Sequence, residues 1–342
     1  MSVLHLLGTA GEGGAETYFL DLVGGLARAG VDQACAIRAN PNREAALNRT
    51  GVPSGLFRFG GPVDILTKPK LAGFSRKHDV KLALAWMNRA ARHTPKGPWA
   101  RVGRLGGYYN LKYYRGFDEL VANTEDIAEW VVGQGWPAGK VRHIPNFAEA
   151  PADAAPAERA AMATPADVPL LLAMGRLHDS KAHDVSLNAL ATIPDAHLWI
   201  AGVGPLEAKL KAMAQALGVV DRVRFLGWRT DASALYRAAD ICVFPSRYEP
   251  LGNVVIQSWA HGLPVVAAAS QGPAALIRDG EDGLLVPVDD AQALAAAVNR
   301  LLADPALRAG LARAGAARVE AEFSQAAVVA QWRDLFADYG AS

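Results

Sequence analysis

The sequence predicts an α/β fold of two domains, each built on a sheet of parallel strands, and three observations predict it. Short, continuous apolar runs recur along the chain with helix-length intervals between them, the pattern of strands covered on both faces by crossover helices. The chain has 342 residues, 51% of them hydrophobic, enough to fill two cores rather than one. Near the middle, residues 147–169 read FAEAPADAAPAERAAMATPADVP, an Ala- and Pro-rich connector with room for one short helix.

In the first domain, taken as residues 1–150, residues 3–7 form a short apolar strand. The loop GTAGEGGAE follows, then a helix over 17–29 that Gly30 ends. Further strands are expected at 34–38, 82–86, 119–123 and 141–144, with a helix over 124–133, before Pro145 and Asn146 break the pattern. The second domain, 151–324, is cleaner. Strands are expected at 170–174, 197–201, 223–226, 241–244, 265–267 and 283–286. Ala-rich helices at 291–302 and 305–319 precede a last helix over 324–339, whose Val328, Val329, Trp332, Leu335 and Phe336 recur close to helical spacing.

Chemistry concentrates in SRYEPLGNVVIQSWAHGLPVV, residues 246–266. Pro250 pushes Glu249 out of helical conformation, and Gly252 lets the backbone approach a ligand closely. The first amides of the helix that follows, at Gly252, Asn253 and Val254, point outward as an anion site. Glu249 supplies a carboxylate for sugar hydroxyls, and Gln257 an amide one turn into the helix. A second segment, GRLHDSKAHD, follows the strand at 170–174: Gly175 turns the chain, and Arg176 and Lys181 place a guanidinium and an ammonium on one loop, which suits a diphosphate.

These segments resemble retaining glycosyltransferases of family 4, which have the GT-B fold of two facing Rossmann-like domains and use nucleotide-sugar donors. SRYEPLGNVVIQ is similar to the family's Glu-x7-Glu segment, with one departure: the second glutamate, which holds the donor ribose, falls on Gln257. The resemblance implies that Arg176 and Lys181 hold the donor diphosphate, with helix amides at Leu251, Gly252 and Asn253. Glu249 would bind the donor sugar, and Arg229 would lie by the nucleobase. The N-terminal Gly13, Gly14, Ala15 and Glu16 resemble the family's Gly-Gly-Ala-Glu loop, and AGVGP at 201–205 its Gly-x-Gly-Pro turn. In that family the last helix, about 325–342, crosses back to the N-terminal domain.

On the acceptor side the candidates are Glu16, Arg89, His93 and Arg104. Charge is uneven: residues 1–150 carry a net +6 and the remainder −5, and residues 68–115 alone carry +11, interleaved with Trp86, Trp99, Tyr108, Tyr109, Tyr113 and Tyr114. Such a segment suits an anionic membrane surface or an acidic glycan. It also suits nucleic acid, which the donor motifs make an unexpected partner.

Other chemistries lack their signatures. No GxSxG, HExxH, Walker A or zinc-spaced Cys and His set occurs, and no Asp-x-Asp follows a strand, so neither metal nor cofactor is expected. Two distant cysteines, Cys35 and Cys242, suggest buried thiols in a reducing compartment. With no apolar run long enough to span a bilayer and no signal-peptide pattern, the expectation is a cytoplasmic protein, peripheral on the membrane. The expected activity is transfer from a nucleotide-diphosphate sugar to a lipid-linked or cell-envelope glycan. Two alternatives stay open: a synthase or phosphorylase of soluble sugars, and a catalytically silent sugar-nucleotide sensor, because Gln257 departs from the pattern.

Overall fold

The computed structural model describes residues 2–11, 13–61, 63–151 and 153–341. These divide into two compact units, residues 1–146 with 325–342, and residues 147–324.

In the first unit the chain runs β1 (Ser2–Leu7), α1 (Gly14–Arg28), β2 (Gln33–Ile37), α2 (Pro41–Thr50), β3 (Ser54–Leu56), α3 (Thr67–Lys77), β4 (Val80–Trp86), α4 (Met87–His93), β5 (Ala100–Leu105), β6 (Glu119–Ala122), α5 (Glu125–Gly133) and β7 (Val141–His143). The second unit holds β8 (Leu170–Met174), α6 (His183–Leu190), β9 (His197–Ala201), α7 (Glu207–Ala216), β10 (Val223–Gly227), α8 (Ala232–Ala238), β11 (Ile241–Phe244), α9 (Asn253–Ala260), β12 (Val265–Ala268), α10 (Gln271–Leu276), β13 (Leu284–Val286), α11 (Ala291–Ala303) and α12 (Pro305–Arg318). The last helix, α13 (Gln325–Asp338), returns to the first unit.

Both sheets are wholly parallel among the described residues. Their orders are β3-β2-β1-β4-β5-β6-β7 and β10-β9-β8-β11-β12-β13. Strand order therefore reverses between β1 and β4 in one sheet and between β8 and β11 in the other, and the loops leaving these strands open a crevice at the carboxyl edge. Among the described residues of the Ala-rich connector there is one 3-10 turn, at Ala160–Met162.

Helix α13 belongs to the first unit because it buries Val328, Val329, Trp332, Leu335 and Phe336 there. Each large side chain so buried contributes roughly 1.5–3 kcal/mol. Gly25 of α1 admits the approach: a Cβ there would meet Gln325 Nε2 at 3.0 Å and Val329 Cγ2 at 3.2 Å. Arg142 bonds Asp338 at 2.8 Å, and the Tyr339 hydroxyl donates to Glu119 at 3.0 Å. Both cysteines are fully buried in the sheet of their own unit, and burial pushes the Cys242 thiol up to about 12 and Cys35 higher still.

Helix starts follow local chemistry. Thr124, Asp290 and Asp304 cap α5, α11 and α12 through their side chains. Asn40 and Glu44 cap α2 reciprocally: Asn40 Oδ1 accepts from Arg43 N at 3.0 Å and Glu44 Oε1 from Asn40 N at 3.1 Å. The helix expected from residue 17 begins three residues earlier, at Gly14, because Thr17 N already bonds Gly13 O at 2.9 Å.

Candidate functional site

The switch point of the second sheet brings together the two segments singled out by sequence. Strand β8 delivers Gly175, Arg176 and Lys181; its neighbour β11 delivers residues 246–252 and then α9. Lys181 Nζ forms an ion pair with Glu249 Oε2, and both side chains are more than four-fifths buried. Its ammonium also lies 5.7 Å from the centre of the Phe244 ring. Glu249 Oε1 accepts from Gly252 N at 3.3 Å, so the carboxylate occupies one of the amides expected to face an anion. Gly252 is left-handed, φ +90°, which turns the chain into α9.

Close backbone packing explains the surrounding glycines. Gly202 has φ +152°, and a Cβ on it would stand 1.9 Å from Gly175 O; one on Gly204 would stand 2.3 Å from Leu177 O. The AGVGP turn after β9 therefore lies against the loop after β8, tied by Leu177 N to Val203 O at 3.0 Å. At Gly272 a Cβ would meet the Leu251 backbone at 2.5 Å, and Gly272 N bonds Glu249 O at 2.8 Å, which braces the glutamate loop from α10.

Arg176 is exposed, and its guanidinium has no hydrogen-bond or ion-pair partner among the described residues. The Gln257 amide is half-buried on α9 and equally unengaged. Arg229 forks onto Asp231, Nε to Oδ1 at 2.7 Å and Nη2 to Oδ2 at 2.5 Å, beside a Trp228 that is 52% exposed just past β10. The cluster thus offers an exposed guanidinium, a lysine paired with a carboxylate and a left-handed glycine at a helix start, and an exposed indole stands just past β10 in the same unit. Such a set can neutralise phosphates, bind hydroxyls and stack on a base.

Comparison with known proteins decides the family. Residues 12–150 match the model of "Glycosyltransferase Family 4", and residues 168–304 that of "Glycosyl transferases group 1". Two proteins of Rhizobium meliloti named as lipopolysaccharide core biosynthesis glycosyltransferases are similar along nearly their whole length. LpsE is 37% identical over 95% of this chain and 96% of its own, and LpsD 36% identical over 98% of each. This chain belongs to glycosyltransferase family 4. Its fold is that of GT-B enzymes: the structure of Anabaena Alr3699/HepE with UDP matches at TM-score 0.85, 21% identity, over 99% of this chain and 100% of that one. WaaG, a glycosyltransferase of lipopolysaccharide biosynthesis, matches at TM-score 0.72, 17% identity, over 98% and 99%.

In the first unit of this family 4 enzyme the switch point lies between β1 and β4, where the glycine loop and Arg89 meet. A Cβ on Gly8 would touch Arg89 Cγ at 3.0 Å. Arg89 is exposed and donates to Phe59 O at 3.3 Å. Gly13 is extended and Gly14 opens α1, with Glu16 half-buried in its first turn; Glu12 lies outside the described residues. The loop is shaped by two residues that sequence reasoning missed. Arg43, 3% exposed, donates to Thr9 O and Gly11 O at 2.7 Å each, and Asn40 Nδ2 to Ala10 O at 3.0 Å. Their only sequence signal is the capped helix start at Asn40-Pro41.

Two of the acceptor candidates are buried. His93 is 3% exposed: its Nδ1 bonds Arg89 O at 2.9 Å, and Nε2 lies 3.8 Å from Asp64, whose carboxylate caps the start of α3. Arg104, also 3% exposed, is stacked 5.2 Å from the centre of the Tyr18 ring and 5.0 Å from that of Trp86, and bonds Asn146 Oδ1. Burial lowers its pKa, and ring faces stand where a counter-ion would. Both residues are occupied in packing, leaving Glu16 and Arg89 at the loop.

Proposed function

We propose that this glycosyltransferase moves a sugar, with retention, from a nucleotide-diphosphate sugar to a lipid-linked core oligosaccharide of lipopolysaccharide or a similar envelope glycan. The observation that carries the donor side is the meeting of Lys181 and Glu249 at the switch point of the second sheet, with the exposed Arg176 on the same loop. Lys181, Arg176 and the start of α9 take the diphosphate. Glu249 takes a hydroxyl of the donor sugar, Gln257 the ribose, and Trp228 with Arg229 the base. Charge growing on the departing diphosphate is met by fixed cations and amides, so no metal is required for departure. The solved HepE structures with UDP and UDP-glucose support a nucleotide-sugar donor, and the names of LpsE and LpsD support the acceptor class.

The same reading places the enzyme on a cytosolic membrane face. No described helix is long and apolar enough to cross a membrane. Just before α3, however, Val63, Ile65 and Leu66 are 89%, 79% and 61% exposed, while Asp64 between them turns inward to bond Gly60 N at 2.6 Å and Thr67 N at 3.1 Å. Lys68, Lys70, Arg76 and Lys77 follow, all exposed. Apolar tips beside a cationic helix suit insertion among anionic headgroups, with about 1 kcal/mol per near-surface cation.

Incubating the purified enzyme with a panel of nucleotide sugars and core oligosaccharide, in EDTA, tests the chemistry. One donor is turned over and the new linkage keeps the donor's anomeric configuration; an inverted product rejects retention, and no turnover of any donor rejects the reading. Co-sedimentation with phosphatidylglycerol vesicles, falling as salt is raised from about 0.1 to 1 M while the Debye length shrinks from about 10 to 3 Å, tests the membrane part. Failure to bind at low salt rejects it.

A further inference from the structure

Two arginines stand by the donor site and are spent differently. Arg176 is exposed and unpaired among the described residues. Arg247, two residues before Glu249, has its guanidinium committed on three sides. Its Nη1 and Nη2 fork onto Asp184 of α6 at 3.0 and 2.6 Å, Nε bonds Asp289 at 2.5 Å, and Nη1 also donates to Asp179 O at 2.9 Å. The backbone repeats the attachment, with Arg247 N and Tyr248 N donating to Ser180 O at 2.9 and 3.3 Å. Every one of these bonds except that to Asp289 joins residues 247–248 to residues 179–184, the loop and helix start that flank Lys181.

Taking the donor-site reading above as its basis, we propose that Arg247 is a positioning residue for the donor diphosphate. By riveting the Lys181 loop to the Glu249 loop, it fixes the ammonium where the diphosphate docks while touching no donor atom itself. The need for it is physical. Lys181 ends a three-residue 3-10 turn and is followed by Ala182 in the left-handed region, φ +54°, a conformation that costs a residue with a side chain and needs surrounding bonds to hold it. A donor arriving at the site must also draw Lys181 away from Glu249. The loops stay in register through that exchange only if something other than the Lys181–Glu249 pair joins them. Arg247 suits the task because a planar fork fixes orientation as well as distance, which an ammonium does not. With its charge divided between Asp184 and Asp289, it also has little left to offer a phosphate.

A double-mutant cycle tests this, with binding of UDP, GDP and ADP read by titration calorimetry and fold read by thermal melting. In the wild-type background Arg247→Ala weakens the preferred diphosphate by about 5- to 20-fold, Arg247→Lys recovers part of the loss, and the corresponding nucleoside is bound nearly as before. In the Lys181→Ala background Arg247→Ala has almost no further effect on the diphosphate, within about twofold, because it acts through the lysine. Asp289→Ala, at the exposed end of the network, gives a smaller loss with the same dependence on Lys181, and serves if Arg247→Ala does not fold. Losses that multiply in the double variant overturn the proposal, as does an unchanged affinity in Arg247→Ala, while the donor-site reading survives either. A wild-type protein that binds none of the three diphosphates overturns both.

Discussion

At the switch point of the second unit, side-chain charges face one another: Lys181 with Glu249, and Arg247 with Asp184 and Asp289. At the switch point of the first unit, Arg43 and Asn40 hold backbone carbonyls of the glycine loop instead. The contrast extends outward. In the second unit Arg318, 14% exposed, bonds Asp282 at 3.1 Å and Glu322 at 3.1 Å and lies over the Trp259 and Phe323 rings. In the first, Lys68, Arg92, Lys96, Arg101 and Arg115 line a concavity of about 390 Å³ that no carboxylate lines, and among the described residues only Arg101 of the five makes a side-chain hydrogen bond, to Gly116 O. Paired charges build a fixed frame for a small, defined ligand. Unpaired ones of one sign raise the local potential for a large anionic partner.

The comparison breaks most visibly in stability. Arg318→Ala strips the buried Asp282 of its cation and lowers the stability of the second unit by about 3–5 kcal/mol in urea unfolding. Lys96→Ala with Arg115→Ala, in the first unit, changes stability by no more than about 0.5 kcal/mol. If both sets behave alike, the distinction between a paired frame and an unpaired surface is wrong.

A smaller effect is expected at the glycine loop. Arg43→Ala leaves the carbonyls of Thr9 and Gly11 without their donor, a loss of about 1–3 kcal/mol, and slows transfer while diphosphate affinity holds. A matching fall in diphosphate affinity would place this loop's effect on the donor side.

The gentlest test is titration of Asp184. Burial works to raise its pKa, but the hydrogen bonds and charge of Arg247 outweigh that and hold the carboxyl below its ordinary value. Its contribution to stability is therefore present above the usual carboxylate range, near 4, and is lost as pH falls through the depressed folded value. Between pH 5 and 7 it changes nothing. Arg247→Ala moves the carboxyl signal of Asp184 upward in an NMR titration; a fixed midpoint would mean that the fork is not made in solution.

How far the sequence could be read follows the same division. Strands β8, β9 and β11 stand at the expected residues, since each is an apolar run, led in β9 by His197, with a glycine or proline just beyond it. Strand β5 escaped notice because Arg101 and Arg104 interrupt it, and only the rings around Arg104 make that strand a buried one. Strand β3, Ser-Gly-Leu, has no apolar run at all. In the second unit the candidate residues lie within a few residues of strand ends, so Arg176, Lys181 and Glu249 were legible in order. Arg247 and Asp184 were not, since their meaning lies in a contact 63 residues apart in sequence. In the first unit the same limit hid Arg43, and the burial of His93 and Arg104 was not legible either.

In the proposed function Lys181 and Glu249 divide the donor between them, phosphate to one and sugar to the other. Titrating the preferred nucleoside diphosphate into Lys181→Ala and Glu249→Gln, and measuring transfer with each, tests that division. Transfer falls in both by roughly 10- to 150-fold, the equivalent of about 1.5–3 kcal/mol for a hydrogen bond to a charged group. Diphosphate affinity falls in Lys181→Ala alone. In Glu249→Gln it holds or rises, because the carboxylate that competes for the lysine has been neutralised. Normal transfer in either variant, or equal losses of diphosphate affinity in both, would contradict the division.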